Sequence, residues 1–437
     1  MKTRYRLTRR AMLAGTAAGA GLATAKGAVA QTAVLRGTSL TFWGGLIFSD
    51  VANRFLSDSI NRWGQANGVR TEVVMINQND TVQRVSAAVA ANTLPDAFDL
   101  SLDLMILLAR QNLFLPVDDL YARIGGAQGG WLSAVDGATT LSRGPEGRAG
   151  IPFGVTGNML LRRNDVLSKA GFANPPSTWQ ELVTQAAAVN KPPLFGLGLA
   201  LSNVGDGNLQ VSAMQSFGGR IADDTGKTVA IKSDATREHL RWVKDAWDRK
   251  LFPPGVTTWD GAGDNQSYLA GQSVFIANTG SVGLAARTQD PELFAGTLYS
   301  SLPGGSRGVV SPLSIQYRSI ARSSRNPNAA RELIEHLAQP AFMNTYFENA
   351  IYGPVLNDQS KLKAFDGSNK ILAGLLDLSR RGTPPGFPDV YNVAYADAWN
   401  NFVIPKMIQR VVIDNWDLDR AMDDAQRSTQ AIYDKYK

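Results

Sequence analysis

The stretch Gly150-Ile-Pro-Phe-Gly-Val-Thr-Gly-Asn-Met-Leu-Leu-Arg-Arg-Asn-Asp165 is apolar near both ends, with a proline, glycines and a polar Thr and Asn between them. Proline removes a hydrogen-bond donor from a strand and glycine packs no side chain, so neither suits the middle of a buried strand. The stretch is therefore either a bulged strand within one domain or a segment that crosses between two domains. In the second case, Thr156 and Asn158 would face the space between the domains.

The length, charge and cysteine content of the chain limit the number of domains, the partners and the chemistry that can be expected of it. A chain of 437 residues is long enough for two domains. Its net charge of +6 comes from residues 1–30, which contain six Lys and Arg and no acid; removing these six from the 44 bases leaves 38, equal to the 38 acids. A neutral body gives no electrostatic reason to expect nucleic acid or an anionic membrane as a partner. Cysteine is absent, so disulfides and thiol chemistry are excluded.

Residues 1–30 have the features of a twin-arginine-type signal peptide. Arg9-Arg10 precede an apolar run over residues 11–25, and Ala28-Val29-Ala30 form an A-x-A cleavage site. A membrane anchor is the alternative, but the run is shorter than the roughly 20 apolar residues that a span needs. We expect cleavage after Ala30 and a soluble protein in the periplasm, with the general secretory route as the alternative path.

Strand and helix patterns alternate in the first part of the mature chain. Short apolar runs at 40–43, 71–76 and 97–100 predict strands, and each is followed by a helical pattern. This alternation predicts a parallel sheet with helices on its faces. Ligands gather beyond the carboxyl ends of such strands, which places Trp43 and Asp103 on one rim.

The sequence offers little support for catalysis or for a cofactor. Its two histidines, His239 and His336, both fall in predicted helices and neither has the spacing of a metal ligand. The chain has no nucleophile elbow and no phosphate-binding loop. We therefore expect no catalytic residue, no cofactor and no metal, although a hydrolase with two unidentified carboxylates stays open as an alternative.

Ten segments carry a family resemblance. They are Leu40–Trp43, Asn92–Asp99, Leu115–Leu120, Gly150–Phe153, Pro176–Leu182, Ala270–Gly280, Pro303–Gly305, Asn328–Leu333, Tyr352–Val355 and Ala421–Gln426. In this order and spacing the chain resembles the family 1 extracellular solute-binding proteins of bacterial ABC importers, the maltose-binding-protein-like group. Each segment alone is a weak signal, whereas the order and spacing of the ten segments along the chain are specific for the family.

The resemblance implies an α/β, two-domain periplasmic-binding-protein fold. Each domain would be a mostly parallel sheet flanked by helices, and about three hinge crossings would join them. The expected N-terminal lobe is 38–153 with 314–357, and the expected C-terminal lobe is 158–308 with 365–437. A ligand cleft would lie between the lobes, with the segment from Pro152 to Asn158 as the first crossing and its floor.

The resemblance and the residue types together suggest which side chains bind the ligand. In the first lobe they are Trp43 and Asp103, and in the crossing they are Thr156 and Asn158. In the second lobe they are Asn208, Trp259, Asn278, Ser281 and Tyr391. Ser281-Val282 stands where the family often has an aromatic residue, so Trp259 and Tyr391 are expected to supply the stacking surface instead.

These features predict a periplasmic receptor, not an enzyme. It would capture a small solute by hinge closure, most readily a sugar, oligosaccharide or polyol, and deliver it as a monomer to the ABC transporter permease subunits in the inner membrane. The alternatives are a binder of a polyamine or an organic acid, or a periplasmic enzyme exported by the twin-arginine route. A cationic ligand would need several carboxylates in the cleft, for which Asp103 and Asp206 are the candidates.

Overall fold

The structure, a computed structural model, describes residues 37–47 and 49–437, without the side chains of Gln78, Asn79 and Asp103. The predicted signal peptide and its cleavage site after Ala30 lie outside the described residues. Within these ranges, no helix is both long enough and apolar enough to cross a membrane.

The first lobe is built on a five-stranded sheet with the order β2-β1-β3-β11-β6. Its strands are β1 Ser39–Gly45, β2 Arg70–Ile76, β3 Ala97–Ser101, β6 Ile151–Thr156 and β11 Ser314–Ile320. Strand β11 is antiparallel to its neighbours β3 and β6, while β1 is parallel to β2 and β3. A small hairpin of β4 Arg143–Gly144 and β5 Gly147–Arg148 lies apart from this sheet. The flanking helices are α1 Asp50–Asn67, α2 Gln78–Ala91, α3 Leu102–Ala109, α4 Asp118–Ala127, α5 Ser133–Thr139, α13 Pro327–His336 and α14 Pro340–Asn349.

The second lobe is built on a four-stranded sheet with the order β10-β7-β9-β8. Its strands are β7 Met159–Arg163, β8 Phe195–Leu197, β9 Ser273–Asn278 and β10 Thr297–Ser300. Strand β7 is antiparallel to β9 and β10, and β8 is parallel to β9. The helices are α6 Asn164–Leu167, α7 Trp179–Val189, α8 Leu209–Ser216, α9 Asp234–Asp248, α10 Gly263–Leu269, α11 Ser281–Gln289, α12 Pro291–Gly296, α16 Val393–Asn400, α17 Val403–Val412 and α18 Leu418–Asp434. The predicted α/β fold of two helix-flanked sheets is thus confirmed, with one reversed strand in each sheet.

The stretch Gly150–Asp165 is both a bulged strand and a crossing between the lobes, the two structures that its sequence predicts as alternatives. Ile151–Thr156 is strand β6, and its pairing with β11 passes over Phe153, which makes a bulge. Pro152 is tolerated because β6 is an edge strand, where a missing donor costs little. The chain then crosses to the second lobe within Gly157 and Asn158. The expectation that the crossing begins at Pro152 is therefore wrong by about five residues.

Three crossings come together beside Gly157. A Cβ on this glycine would lie 2.8 Å from the carbonyl oxygen of Pro312, in the segment between β10 and β11. That segment is hydrogen-bonded to the third crossing, because the Leu313 amide donates to the Thr383 carbonyl at 2.9 Å and the Thr383 amide donates to the Ser311 carbonyl at 2.8 Å. The chain thus leaves the first lobe near residue 383, later than the expected Asn357.

Helix α15, Lys370–Arg381, joins the two lobes. It packs against β6 of the first sheet and against β7 and β10 of the second. Its buried Leu372 and Leu375 belong to the hydrophobic core of the first lobe. The same core includes Met159 and Ile276 from the second lobe. The prediction that residues 365–437 lie wholly in the second lobe is therefore wrong for this helix, which is a hinge element.

The second lobe has a separate core that includes α7. Thr178 caps this helix, since its Oγ1 accepts a hydrogen bond from the Glu181 amide at 3.1 Å, as the sequence predicts. Trp179 is buried in the core, and Trp247 packs against it, so neither tryptophan faces the cleft.

Candidate functional site

Two adjoining cavities lie between the lobes. The first, of about 270 Å³, is lined mainly by the second lobe and by the crossings. The second, of about 340 Å³, is lined mainly by the ends of the first lobe's strands, including Gly45 and Ser101. Thr156, Thr279 and Ser314 line both cavities. The two cavities therefore adjoin one another at these three residues, and we call the pair the cleft.

A tight turn before α8 places two polar side chains at one end of the first cavity. The turn spans Gly205–Asn208, and both Asp206 and Asn208 line the cavity. A Cβ at Gly207 would lie 2.0 Å from the Ser202 carbonyl oxygen, so only glycine allows this close approach. Asn208 is 2% exposed, and its Nδ2 donates to the Trp399 carbonyl at 3.3 Å. This bond ties the turn to the end of α16.

Aromatic rings form another wall of the first cavity. Tyr391, Tyr395 and Trp399 recur every four residues, so they stack along one face of α16 and its preceding loop, with centroid separations of 5.2 Å and 6.3 Å. Tyr391 and Trp399 line the cavity. Flat apolar faces of this kind suit the C–H surface of a sugar or a cationic group.

Asp206 lies in an acidic environment. Burial raises the pKa of its carboxyl group to about 7, and the nearby charges of Asp264 and Asp260 act in the same direction. Asp264 is 3% exposed, and its burial also raises its pKa. No ion pair among the described residues involves any of these three acids. This end of the cleft is therefore short of positive charge.

The second cavity has a different charge balance. Asp99 lines it and is paired with Arg318, whose Nε lies 3.2 Å from Asp99 Oδ1. Arg318 is 1% exposed and its guanidinium lies 4.1 Å from the centroid of the Phe153 ring. Burial raises the pKa of Asp99 to about 6 although Arg318 opposes the shift. Lys, Arg and His are absent from the described residues that line either cavity.

The structure brings four of the predicted ligand-binding residues to the cleft. Thr156 and Asn158 line it from the first crossing, Asn208 from the turn before α8, and Tyr391 from the loop before α16. The prediction for Asp103 concerns a side chain outside the described part of the chain; its backbone is in the first turn of α3.

Four predicted residues have other partners and do not line the two cavities. Trp43 packs against the first lobe's core, and Trp259 packs against the backbone at Gly263. Asn278 uses its side chain within the lobe: Nδ2 donates to Asp264 Oδ2 at 3.1 Å, and Oδ1 accepts from the Gly280 amide at 2.9 Å. Ser281 donates to the same Oδ1 at 3.1 Å. Local packing and capping already occupy these side chains, so the two cavities lend no support to the four residues, which stay predictions.

Sequence reasoning overlooked several residues that line the cleft. Thr279 directly follows β9, so the rule that ligands gather at carboxyl ends of strands points to it. Ser314 begins β11 after the second crossing. Trp399 carries no local signal, because α16 meets the turn at Asn208 only in the folded chain, 191 residues away along the sequence.

Within the described residues, no group of three or more His, Cys, Asp or Glu is placed to hold a metal ion. The cleft therefore presents hydroxyl, amide, carboxylate and aromatic groups as its binding chemistry. Such a set suits recognition of a small polar solute.

Comparison with known proteins places these observations in a family. The sequence model described as "Bacterial extracellular solute-binding protein" matches residues 58–367. A protein of Brucella abortus (strain 2308) described as a binding protein is 22% identical over 291 residues, which cover 65% of this chain and 68% of the relative. A protein of Deinococcus radiodurans described as an ABC transporter-binding protein is 26% identical over 229 residues, 49% of this chain and 54% of the relative.

Solved structures share the fold at low sequence identity. The sugar-binding protein MalE of Xanthomonas citri has a TM-score of 0.75 and 18% identity, covering 91% of this chain and 98% of its own. Maltose-bound MalE3 of T. maritima has the same score and identity, with 91% and 100% covered. An ABC transporter solute-binding protein of Thermotoga lettingae, bound with α-D-tagatose, has a TM-score of 0.73 and 18% identity over 91% and 100%. These likenesses confirm the periplasmic-binding-protein fold.

The family consists of binding proteins, in agreement with the expectation that the chain is not an enzyme. Its model covers well over half of the sequence, including strands β2 to β11 and the first two crossings. The chain belongs to the bacterial extracellular solute-binding protein family.

Proposed function

We propose that the chain is the capture receptor of a bacterial ABC importer. The observation that carries this proposal is the cleft, since Thr156, Thr279 and Ser314, from both lobes and two crossings, line both of its adjoining cavities. A solute that contacts both lobes binds the closed form more tightly than the open form, so its binding shifts the population toward closure. The closed form would then deliver the solute to permease subunits in the inner membrane.

The solute is a carbohydrate or polyol-like compound. Hydroxyl and amide groups from Thr156, Asn158, Ser212 and Thr279 line the first cavity beside the aromatic wall, a combination that suits hydroxyl groups and C–H faces. Sugar ligands named for two of the structural neighbours, maltose and α-D-tagatose, agree with this class. An organic acid is disfavoured because no basic side chain lines the described cleft.

The proposed receptor works in the periplasm as a monomer. Its export would follow from the twin-arginine-type signal, with cleavage after Ala30. The test is to express the full chain, collect the periplasmic fraction and determine its N-terminus by mass spectrometry. We expect Gln31 as the first residue; replacement of Arg9 and Arg10 by Lys should retain the protein in the cytoplasm. Export of that variant at the normal level would contradict the twin-arginine route.

Binding without turnover is tested by a thermal-shift screen of sugars, polyols, amines and organic acids, followed by analysis of the recovered compound. A ligand at about 100 times its Kd adds roughly 2.7 kcal/mol to the free energy of unfolding. We expect a sugar or polyol compound to raise the melting temperature and to be recovered unchanged. Conversion of the stabilising compound into a product would refute the receptor in favour of an exported enzyme.

A further inference from the structure

We propose that the solute carries a protonated amine, which binds at the end of the first cavity formed by Asp206 and Asn208. This inference rests on the proposed function, because it names the ligand class for the same cleft. The solute would be a polyhydroxylated compound with an ammonium group, such as an amino sugar or an amino polyol.

The first argument is the unbalanced charge at this end of the cleft. Asp206 lines the cavity, while Asp264 and Asp260 lie close enough to repel its carboxylate. None of the three forms an ion pair with another described residue, although such pairs are frequent on the surface of the second lobe, as between Lys232 and Asp423. A buried or partly buried carboxylate without a counter-charge is costly. A bound ammonium group would supply that charge.

A second, independent observation is an unpartnered amide oxygen on Asn208, which lines the same cavity. Its residue is 2% exposed, and its Nδ2 is committed to the Trp399 carbonyl. Its Oδ1 is buried and has no hydrogen-bond partner among the described residues. An amide oxygen can only accept, and an unsatisfied buried acceptor costs roughly 1–3 kcal/mol. A donor that reaches this oxygen from the cavity lined by Asn208 would therefore stabilise the complex.

An ammonium group meets both demands better than a hydroxyl group does. It has three N–H donors and a positive charge, whereas a hydroxyl group has one donor and no charge. Asp206 and Asn208 each need a donor, and only the charged group also relieves the repulsion among the acids. The rings of Tyr391 and Trp399 in the same cavity offer faces that attract a cation.

The rest of the cleft suits the neutral part of such a solute. Away from Asp206, the first cavity continues to Thr279, Thr156 and Ser314, which also open onto the second cavity. These side chains provide hydroxyl groups that donate and accept, as the hydroxyl groups of a polyol do. One end of the cleft, at Asp206 and Asn208, therefore suits a cation, and the remainder, at Thr156, Thr279 and Ser314, suits hydroxyl groups.

The experiment compares matched pairs of compounds that differ in one group. Glucosamine is paired with glucose, glucamine with sorbitol, and putrescine with 1,4-butanediol, and each is measured by thermal shift and titration calorimetry at neutral pH. We expect glucosamine or glucamine to bind roughly tenfold or more tightly than its neutral partner. If putrescine binds more tightly than glucosamine and glucamine, the ammonium site stands, but the proposal that the solute is polyhydroxylated is overturned.

The role of Asp206 is tested with Asp206→Asn, and Asp58→Asn on the exposed face of α1 serves as the control. We expect the first variant to lose roughly tenfold or more in affinity for the amine and little for its neutral partner, and the control to lose neither. Neutral compounds that bind as tightly as their amines, or an Asp206→Asn variant that keeps its amine affinity, would overturn the inference and leave the receptor function standing. Failure of every compound, neutral ones included, would count against both.

Discussion

Replacing Asp206 by Asn should make the ligand-free protein more stable at alkaline pH. The folded protein holds the pKa of this carboxyl group at about 7 against an ordinary value of 3.8, because burial, Asp264 and Asp260 all disfavour its charge. The folded state thus binds the proton more tightly than the unfolded chain does. The contribution of Asp206 to the free energy of unfolding is therefore greatest below about pH 4, falls as the pH rises from 4 to 7, and is level above that.

The magnitude follows from the size of the shift. Each pKa unit corresponds to about 1.36 kcal/mol, so ionisation of Asp206 costs up to about 4 kcal/mol of the free energy of unfolding above pH 7. Asparagine has nearly the same shape and never ionises. The variant should therefore gain most of this amount at pH 8 and little at pH 4.

The assay is urea unfolding followed by the fluorescence of the chain's nine tryptophans at pH 4 and pH 8. Asp58→Asn, which changes an exposed acid, is the matched control and should shift neither curve by more than about 0.5 kcal/mol. An Asp206→Asn variant with no gain at pH 8, or with equal gains at both values, would refute the reasoning. A gain in stability together with a loss of ligand affinity is the trade-off expected of a binding residue.

Three other substitutions test the hinge, the buried ion pair and the helix cap. Gly157→Ala should weaken ligand binding by roughly tenfold in calorimetry, because its Cβ would meet the crossing backbone, whereas Gly126→Ala, on the exposed face of α4 where a Cβ meets open space, should not; equal losses would contradict a hinge at residue 157. Arg318→Met should cost roughly 3–5 kcal/mol in urea unfolding at pH 8, since it leaves Asp99 buried without its partner, and a cost below 1 kcal/mol would contradict this. Thr178→Ala should cost about 1 kcal/mol in the same assay, and no change would mean that its cap bond is dispensable.

The sheets could be predicted from the sequence because their signals are local. In the first lobe, apolar runs such as 71–76 and 97–100 lie within the observed β2 and β3. The stretch at 150–165 was harder, because it is both a bulged strand and a crossing. Pro152 is explained by the edge position of β6, and Gly154 by Tyr352, whose Cγ would lie 2.8 Å from a Cβ. Neither neighbour is visible from the local sequence.

The site was only partly predictable, for the same physical reason. Thr156 and Asn158 could be found because polar residues interrupt an apolar pattern. The resemblance places the loop of Asn278 at the cleft, yet the side chain of Asn278 caps the following turn and donates a hydrogen bond to Asp264. The meeting of Asp206 with Asp264 and of Asn208 with Trp399 joins segments far apart in the chain. Only the folded structure reveals these pairs.

The central claim is that a solute closes the two lobes about the crossings. The chain has no cysteine, so Ser86→Cys and Gly261→Cys place one spin label on each lobe at exposed positions that do not line the cleft. The distance between the labels is measured by electron paramagnetic resonance, with and without the compound that gives the largest thermal shift. We predict a shorter distance with the compound, which is recovered unchanged. Tight binding with no change in the distance distribution would contradict capture by hinge closure.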